Sequence, residues 1–192
     1  MYELFFKDFA QKAGLTESEQ DKVKTFLTPK KLRKRQYLLQ EGDVCKTIAF
    51  IEKGALREYS IDEAGAEHIV QFGLEGWYIS DMYSFLTGEP ATYSIDAIED
   101  AELVLITHEA YEEMLKAVPK FETLMRVNIT GAYLALQRRL TATVQDNLES
   151  RYQAFIRTYP NIVQRVPQHM IASYLGATPE TLSRIRKRIA NK

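Results

Sequence analysis

Little in this sequence would support catalysis, and nothing would anchor it in a membrane. Its 192 residues include one cysteine, Cys45, which permits no internal disulfide and fits a reducing compartment, the cytoplasm. The same count excludes an iron–sulfur cluster held by four cysteines. No apolar run approaches the roughly 20 residues of a membrane span. The opening MYELFFKDFAQKAG alternates charge with aromatics, where a secretory signal would carry an unbroken apolar core. The three histidines, His68, His108 and His169, stand far apart. A metal cupin, the reading that would make the chain an enzyme, needs about three ligands converging on one ion. Only His68 falls among the expected strands, and haem bound through it has little in its favour. The expectation is no enzyme, no catalytic residue, no metal and no cofactor.

Positive charge is missing from a long central stretch. No Lys or Arg occurs between Arg57 and Lys116, and residues 67–122 hold twelve acids against two cations. The formal net charge of -1 therefore conceals an asymmetry. From Arg151 to Lys192 eight Lys and Arg face one acid, Glu180, which leaves seventeen cations against twenty-five acids in residues 1–150. A basic end on an acidic body is the pattern of a nucleic-acid-binding module attached to a regulatory domain. A merely solvated tail would not also be apolar-periodic and capped.

Thr16 and Glu19 make a capping box for a helix carrying Val23, Phe26 and Leu27, with Pro29 closing it. From about Lys34 to Ile106 short strands alternate with turns at Gly42-Asp43, Gly54 and Gly65. That spacing predicts an antiparallel sandwich, jelly roll or barrel. After Thr107 the period becomes helical. HEAYEEMLKAV reads as a short helix stopped by Pro119, and a long helix follows from Phe121 to Asn147. Met125, Ile129, Ala132, Leu136, Leu140 and Thr143 recur along it at three- and four-residue steps. Its length exceeds what one small sheet covers, so it is expected to pair with its copy in a homodimer.

The end of the chain reads VPQHMIASYLGATPETLSRIRK from Val166 to Lys187. Pro167 suits the first turn of a helix, and Ile171, Tyr174 and Leu175 supply its buried face. Ala172 is small enough for a close helix crossing, and Gly176 is placed to end the helix in the left-handed conformation. Thr178 is the next N-cap, followed by Pro179 and Glu180. On the second helix Leu182, Ile185 and Ile189 share one face. Glu180, Ser183, Arg184, Lys187 and Arg188 occupy the other. This spacing predicts a helix-turn-helix. Arg184 is suited to pair with guanine and Glu180 to accept from a cytosine amino group. Arg186, Arg188 and Lys192 are suited to neutralise phosphates.

With those residues in place, the whole chain resembles the catabolite-activator-type (Crp/Fnr) transcription regulators. The order is the same: a helical start, a β-roll with EGD and IEKG turns, a long dimer helix and a terminal helix-turn-helix. ATPETLSRIRK resembles the family's recognition-helix motif, which implies base reading by Glu180, Thr181 and Arg184. Two departures stand out. The family's cyclic-nucleotide cassette carries Gly-Glu and, about ten residues on, Arg-Ser or Arg-Thr. Here Ser80-Asp81 and Ala91-Thr92 stand in those places. Burying a phosphate monoanion without a charged partner is expensive, so cyclic AMP is not expected to bind. The aromatics Phe72, Trp77, Tyr78, Tyr83, Phe85 and Tyr93 near this stretch read either as roll core or as the lining of a pocket for an uncharged effector. A vestigial pocket is a third reading. The second departure is the absence of room for a β-hairpin wing between Pro160 and Pro167.

The expected fold is α+β, with an antiparallel, cyclic-nucleotide-binding-like β-roll at 1–120, a dimerisation helix at 121–147 and a DNA-binding helix-turn-helix at 148–192. The expected activity is homodimeric transcription regulation without a cyclic AMP response. Its partners would be double-stranded DNA with a palindromic operator, with RNA polymerase as a further candidate. Thr178, Glu180, Thr181, Ser183, Arg184, Arg186, Lys187 and Arg188 are the DNA-binding set. Ser80, Asp81, Tyr83, Ala91, Thr92 and Tyr93 are the degenerate effector set. The alternative is a β-roll ligand sensor whose basic tail serves protein contacts.

Overall fold

Helix α1 (Glu3–Ala13) buries Phe5 and Phe9, one turn apart on a single face. The Phe5 ring meets Phe50 edge to face at 5.4 Å, and Phe9 lies 6.3 Å from Phe121. Each such buried ring contributes about 2–3 kcal/mol. In this computed structural model, which describes residues 2–190, the Glu52 carboxylate accepts from the Leu4 and Phe5 amides at 3.2 and 2.7 Å. It thereby satisfies two donors at the start of α1 that the helix itself leaves open.

Helix α2 (Glu17–Lys24) has the expected capping box, with the Thr16 amide donating to Glu19 at 2.8 Å. It ends earlier than its sequence period suggests. Phe26 lies beyond it, and Leu27 opens strand β1 (Leu27–Leu32), so Pro29 sits in a strand and does not close the helix. Ladder pairing with residues 101–106 overrides the local helical pattern. Because β1 is an edge strand, the missing Pro29 donor costs no interior bond.

Strands β2 (Tyr37–Leu39), β3 (Thr47–Lys53), β4 (Leu56–Ile61), β5 (Glu67–Gly73) and β6 (Tyr78–Ile79) follow. After the short helix α3 (Met82–Thr87) come β7 (Ser94–Ala97) and β8 (Ala101–Thr107). They form two four-stranded sheets in the orders β1-β8-β3-β6 and β2-β7-β4-β5, the roll that the strand spacing predicts. Ile48 to Ile51 of β3 are buried on both faces, which is why that run does not alternate. Gly54 at φ 100° turns β3 into β4, and a Cβ there would stand 2.6 Å from the Asp100 carbonyl oxygen.

Helix α4 (His108–Ala117) is capped by Thr107. Helix α4 ends just before Pro119, as the sequence implies, with Val118 out of the helical region at φ -136° and ψ 85°, and Pro119 also opens the next helix, α5 (Pro119–Gln145). A proline has no amide to lose at a first helical position. Asn147 lies outside α5: its side chain accepts from the Ser150 amide at 3.0 Å and caps α6 (Leu148–Thr158). Helix α7 (Pro160–Arg165) fills the segment where sequence reading places no element. Helices α8 (Gln168–Tyr174) and α9 (Pro179–Ala190) complete the described chain. Pro167 is the extended residue just before α8, at φ -55° and ψ 140°, and not part of its first turn. No helix among the described residues is long and apolar enough to cross a membrane.

The chain divides into two compact units. One holds the residues up to Glu58 together with Phe72–Ala132, and the other holds Tyr59–Gln71 with the chain from Tyr133 onward. Phe121, Leu124 and Met125 at the start of α5 are buried in the first. Farther along α5 the apolar side chains are uncovered: Ile129 is 48% exposed, Leu136 61% and Leu140 63%.

Candidate nucleic-acid interface and effector interior

Helix α8 ends in a Schellman turn. The Ala177 amide donates to the Ala172 carbonyl and the Gly176 amide to the Ser173 carbonyl, both at 2.9 Å, with Gly176 left-handed at φ 67°. Ile171 and Ala172 are fully buried, so the small residue stands where the helices cross, as the sequence implies. Thr178 then caps α9. Its Oγ1 accepts from the Thr181 amide at 3.3 Å, and its carbonyl accepts from the Leu182 amide at 3.1 Å. Glu180 sits in the first turn, where its own backbone amide and the Thr178 hydroxyl hold its carboxyl below the usual range. Arg184 lowers it slightly further.

The helix is sharply two-sided. Leu182 and Ile185 are buried. Thr178, Glu180, Ser183, Arg184, Arg186, Lys187 and Arg188 are exposed, and Thr181 is half-buried. Arg184 lies one turn beyond Glu180, and its Nη2 donates to Thr181 Oγ1 at 3.3 Å. Arg188 is different, because its guanidinium is engaged by the carboxylate of Glu149 on α6. Lys192, expected to contact phosphate, lies outside the described residues.

The residues expected at the effector site are mostly engaged within the fold, Asp81 and Thr92 with each other and the rest with neighbouring groups. Asp81 is buried; its Oδ1 accepts from the Ser84 amide at 3.0 Å as the cap of α3, and its Oδ2 from the Thr92 amide at 3.1 Å. The Ala91 amide donates to the Asp43 carbonyl at 2.8 Å, and Ser80 Oγ to the Thr47 carbonyl at 3.1 Å. Tyr83 points outward, with its hydroxyl on Glu89 at 3.1 Å, and Tyr93 is half-buried. Phe72 and Phe85 are buried in the roll. Arg57, the last cation before the long acidic stretch, is spent in a bidentate pair with Asp96 at 2.8 and 2.9 Å.

Sequence reading missed Glu58. It is 5% exposed, and its carboxyl is pushed up to about 8, first by burial and then by the negative charge of Asp81. A signal was available. Arg57 and Glu58 are adjacent charges on one strand, and neighbouring side chains on a strand point to opposite faces. Of the histidines, His68 pairs with Asp62 at 2.7 Å, and the His108 ring lies 5.3 Å from Phe85. Among the described residues no group of three His, Cys, Asp or Glu is placed to hold a metal.

Comparison with known proteins agrees with this architecture. Residues 29–118 match the cyclic nucleotide-binding domain family. The fumarate and nitrate reduction regulatory protein of Vibrio cholerae is 27% identical over 188 residues, covering 89% of this chain and 72% of that one. Its namesake in Escherichia coli is 28% identical over 189 residues, with the same coverage of 89% and 72%. In fold, the chain resembles the cyclic-di-GMP-responsive global regulator CLP of Xanthomonas campestris, with a TM-score of 0.72 at 14% identity over 92% of each chain. It also resembles the Thermus thermophilus catabolite activator protein, with a TM-score of 0.58 at 18% identity over 96% of this chain and 87% of that one.

Proposed function

We propose, for this homologue of the Crp/Fnr-family regulators with a cyclic nucleotide-binding domain at residues 29–118, that it acts as a homodimeric, DNA-binding transcription regulator in the cytoplasm, without a cyclic AMP response. The observation that carries the reading is α9, a capped helix with one buried apolar face and one exposed face of Glu180, Ser183, Arg184 and Lys187. A helix of this kind fits the major groove, where Arg184 would read guanine and Glu180 cytosine. The uncovered residues of α5, Ile129, Tyr133, Leu136, Leu140 and Val144, alternate at three- and four-residue steps. That is the seam of a two-stranded coiled coil. Two copies joined there would present two reading helices to half-sites about 34 Å apart on a palindromic operator.

The loss of cyclic AMP binding has a local cause. An anion entering beside residues 80–92 would need amide donors and a cation. The Thr92 and Ala91 amides are already committed, Arg57 is paired, and Asp81 would face the phosphate with the wrong sign. Selection of bound sequences from a random duplex library tests the DNA reading, with enrichment of an inverted repeat as the expected result. Calorimetry with cyclic AMP and cyclic GMP at millimolar concentration tests the second part, and a micromolar dissociation constant for either would refute it.

A further inference from the structure

Strand β5 is the edge of its sheet, so its outward amides and carbonyls have no neighbouring strand to bond. Within the unit that joins Tyr59–Gln71 to the chain from Tyr133 onward, a side chain of the helix-turn-helix takes that place. Ser173 Oγ on α8 donates to the Glu67 carbonyl at 2.8 Å and accepts from the Ile69 amide at 3.0 Å. One hydroxyl thus satisfies both a carbonyl and an amide of the strand, as an adjoining peptide would. Arg139, in the last turns of α5, donates to the Val70 carbonyl through Nη1, and its guanidinium stacks 4.1 Å from the centre of the Tyr174 ring. Tyr174 directly follows Ser173, and its ring packs 5.3 Å from Phe155 of α6.

These contacts tie three parts of the chain together: the β4–β5 hairpin, the end of α5 and the first helix of the DNA-reading pair. On α8 the contacts fall at residues 173 and 174, while the Arg139 bond to Val70 joins α5 to β5 directly. None uses a residue of the α9 reading face, where Glu180, Ser183, Arg184 and Lys187 stay exposed. The fastening therefore leaves the reading face open while limiting where α8 sits.

We propose that Ser173 and Arg139 are positioning residues for DNA recognition, fixing the helix-turn-helix by fastening α8 to the edge of the β4–β5 hairpin. This rests on the DNA-binding reading above. A dimer that reads two half-sites needs its two reading helices at one separation. A helix pair free to drift spends part of its time at the wrong one, and the apparent affinity falls by that fraction.

The test uses the full chain and duplexes carrying the operator recovered by wild-type selection, with the half-sites moved apart or together by up to two base pairs. Ser173→Ala and Arg139→Ala should each lower affinity for the native spacing by about tenfold. Both should also flatten the dependence on spacing. Ser173→Thr, which keeps the hydroxyl, should retain both properties. In the absence of DNA, the Ile69 amide should exchange with solvent at least tenfold faster in Ser173→Ala while the helical signal is unchanged. Wild-type affinity and wild-type spacing preference in both alanine variants would overturn the proposal, as would tighter binding. A wild type that enriches no operator would overturn the DNA reading and the positioning role with it. The Ile69 exchange rate would then still report whether the fastening itself exists.

Discussion

In the β-roll the polar groups near residues 80–92 are turned upon one another, whereas on α9 they are turned to solvent. Asp81 takes the Thr92 and Ser84 amides, Arg57 takes Asp96, and Glu58 is left buried beside Asp81. On α9 the exposed cations Arg184, Arg186 and Lys187 have no carboxylate within ion-pair distance among the described pairs. A roll can thus keep its fold after its donors have been absorbed by local caps, because its stability lies in the apolar core. A reading helix cannot spend its donors internally and still have them for DNA. The contrast separates a region whose polar groups serve its own shape from one whose polar groups stay exposed.

The largest expected effect tests whether the exposed chemistry depends on pairing two copies. Leu136→Glu places carboxylates along the uncovered seam of α5, where Leu136 is 61% exposed in the single chain. Sedimentation should show the mass of one chain instead of two. Operator affinity should fall about thousandfold, because binding at the second half-site would no longer be linked to the first. A dimer of unchanged mass would place the seam elsewhere.

Next in size is the carboxyl inside the roll. Glu58 has a folded pKa of about 8 against an ordinary value of 4.5, so the folded state holds its proton more tightly than the unfolded chain does. Its protonation supports the fold at acid pH, and that support is lost as pH rises from about 4.5 to about 8. Replacing Glu58 with Gln removes the dependence. The variant's stability relative to wild type should be about 3 kcal/mol more favourable at pH 8 than at pH 5, measured by urea unfolding at both. An equal difference at the two pH values would show that the carboxyl titrates normally.

The two regions also differ in how readily the sequence discloses them. The helix-turn-helix is legible because every determinant is local: Ala172, Gly176, Thr178 and the spacing of Leu182 and Ile185 act within a few turns. The strand-rich middle is legible as a class, since turns recur at regular intervals. Its details depend on partners far along the chain. Leu27–Leu32 is a strand because it pairs with residues 101–106, and no local feature announces that. The Ser173 contact with Glu67 and Ile69 spans more than a hundred residues. Asp81 was visible as a departure from the family cassette. Its role as a cap bonded to Thr92 depends on the folded loop.

Within the reading face itself, Arg184→Ala should cost about 2 kcal/mol in operator affinity and relax selectivity at one base pair per half-site, as expected for a bidentate arginine–guanine pair. Selection on a randomised library would show the affected position. A variant that lost affinity but kept the full wild-type preference would move Arg184 among the phosphate contacts.

The smallest effect lies where the contrast between the regions fails locally. Arg188 is on α9 and exposed, yet it is engaged by Glu149 on α6. To reach a phosphate it must give up that pair, and exposed ion pairs are worth only about 0–1 kcal/mol. Arg188→Ala should therefore weaken all sequences about equally, by less than about 1 kcal/mol. It should lower the salt slope by under one unit, short of the nearly full unit lost with an uncommitted phosphate contact. Glu149→Gln releases the guanidinium without removing it, so this variant should bind all sequences two- to fivefold more tightly at low salt, with a gain of about 0.4–1 kcal/mol. Titrations at several salt concentrations distinguish the cases. If Arg188→Ala lost a full unit of slope while Glu149→Gln changed nothing, the Glu149 pair would play no part in DNA binding, and Arg188 would belong with the free cations of the reading face.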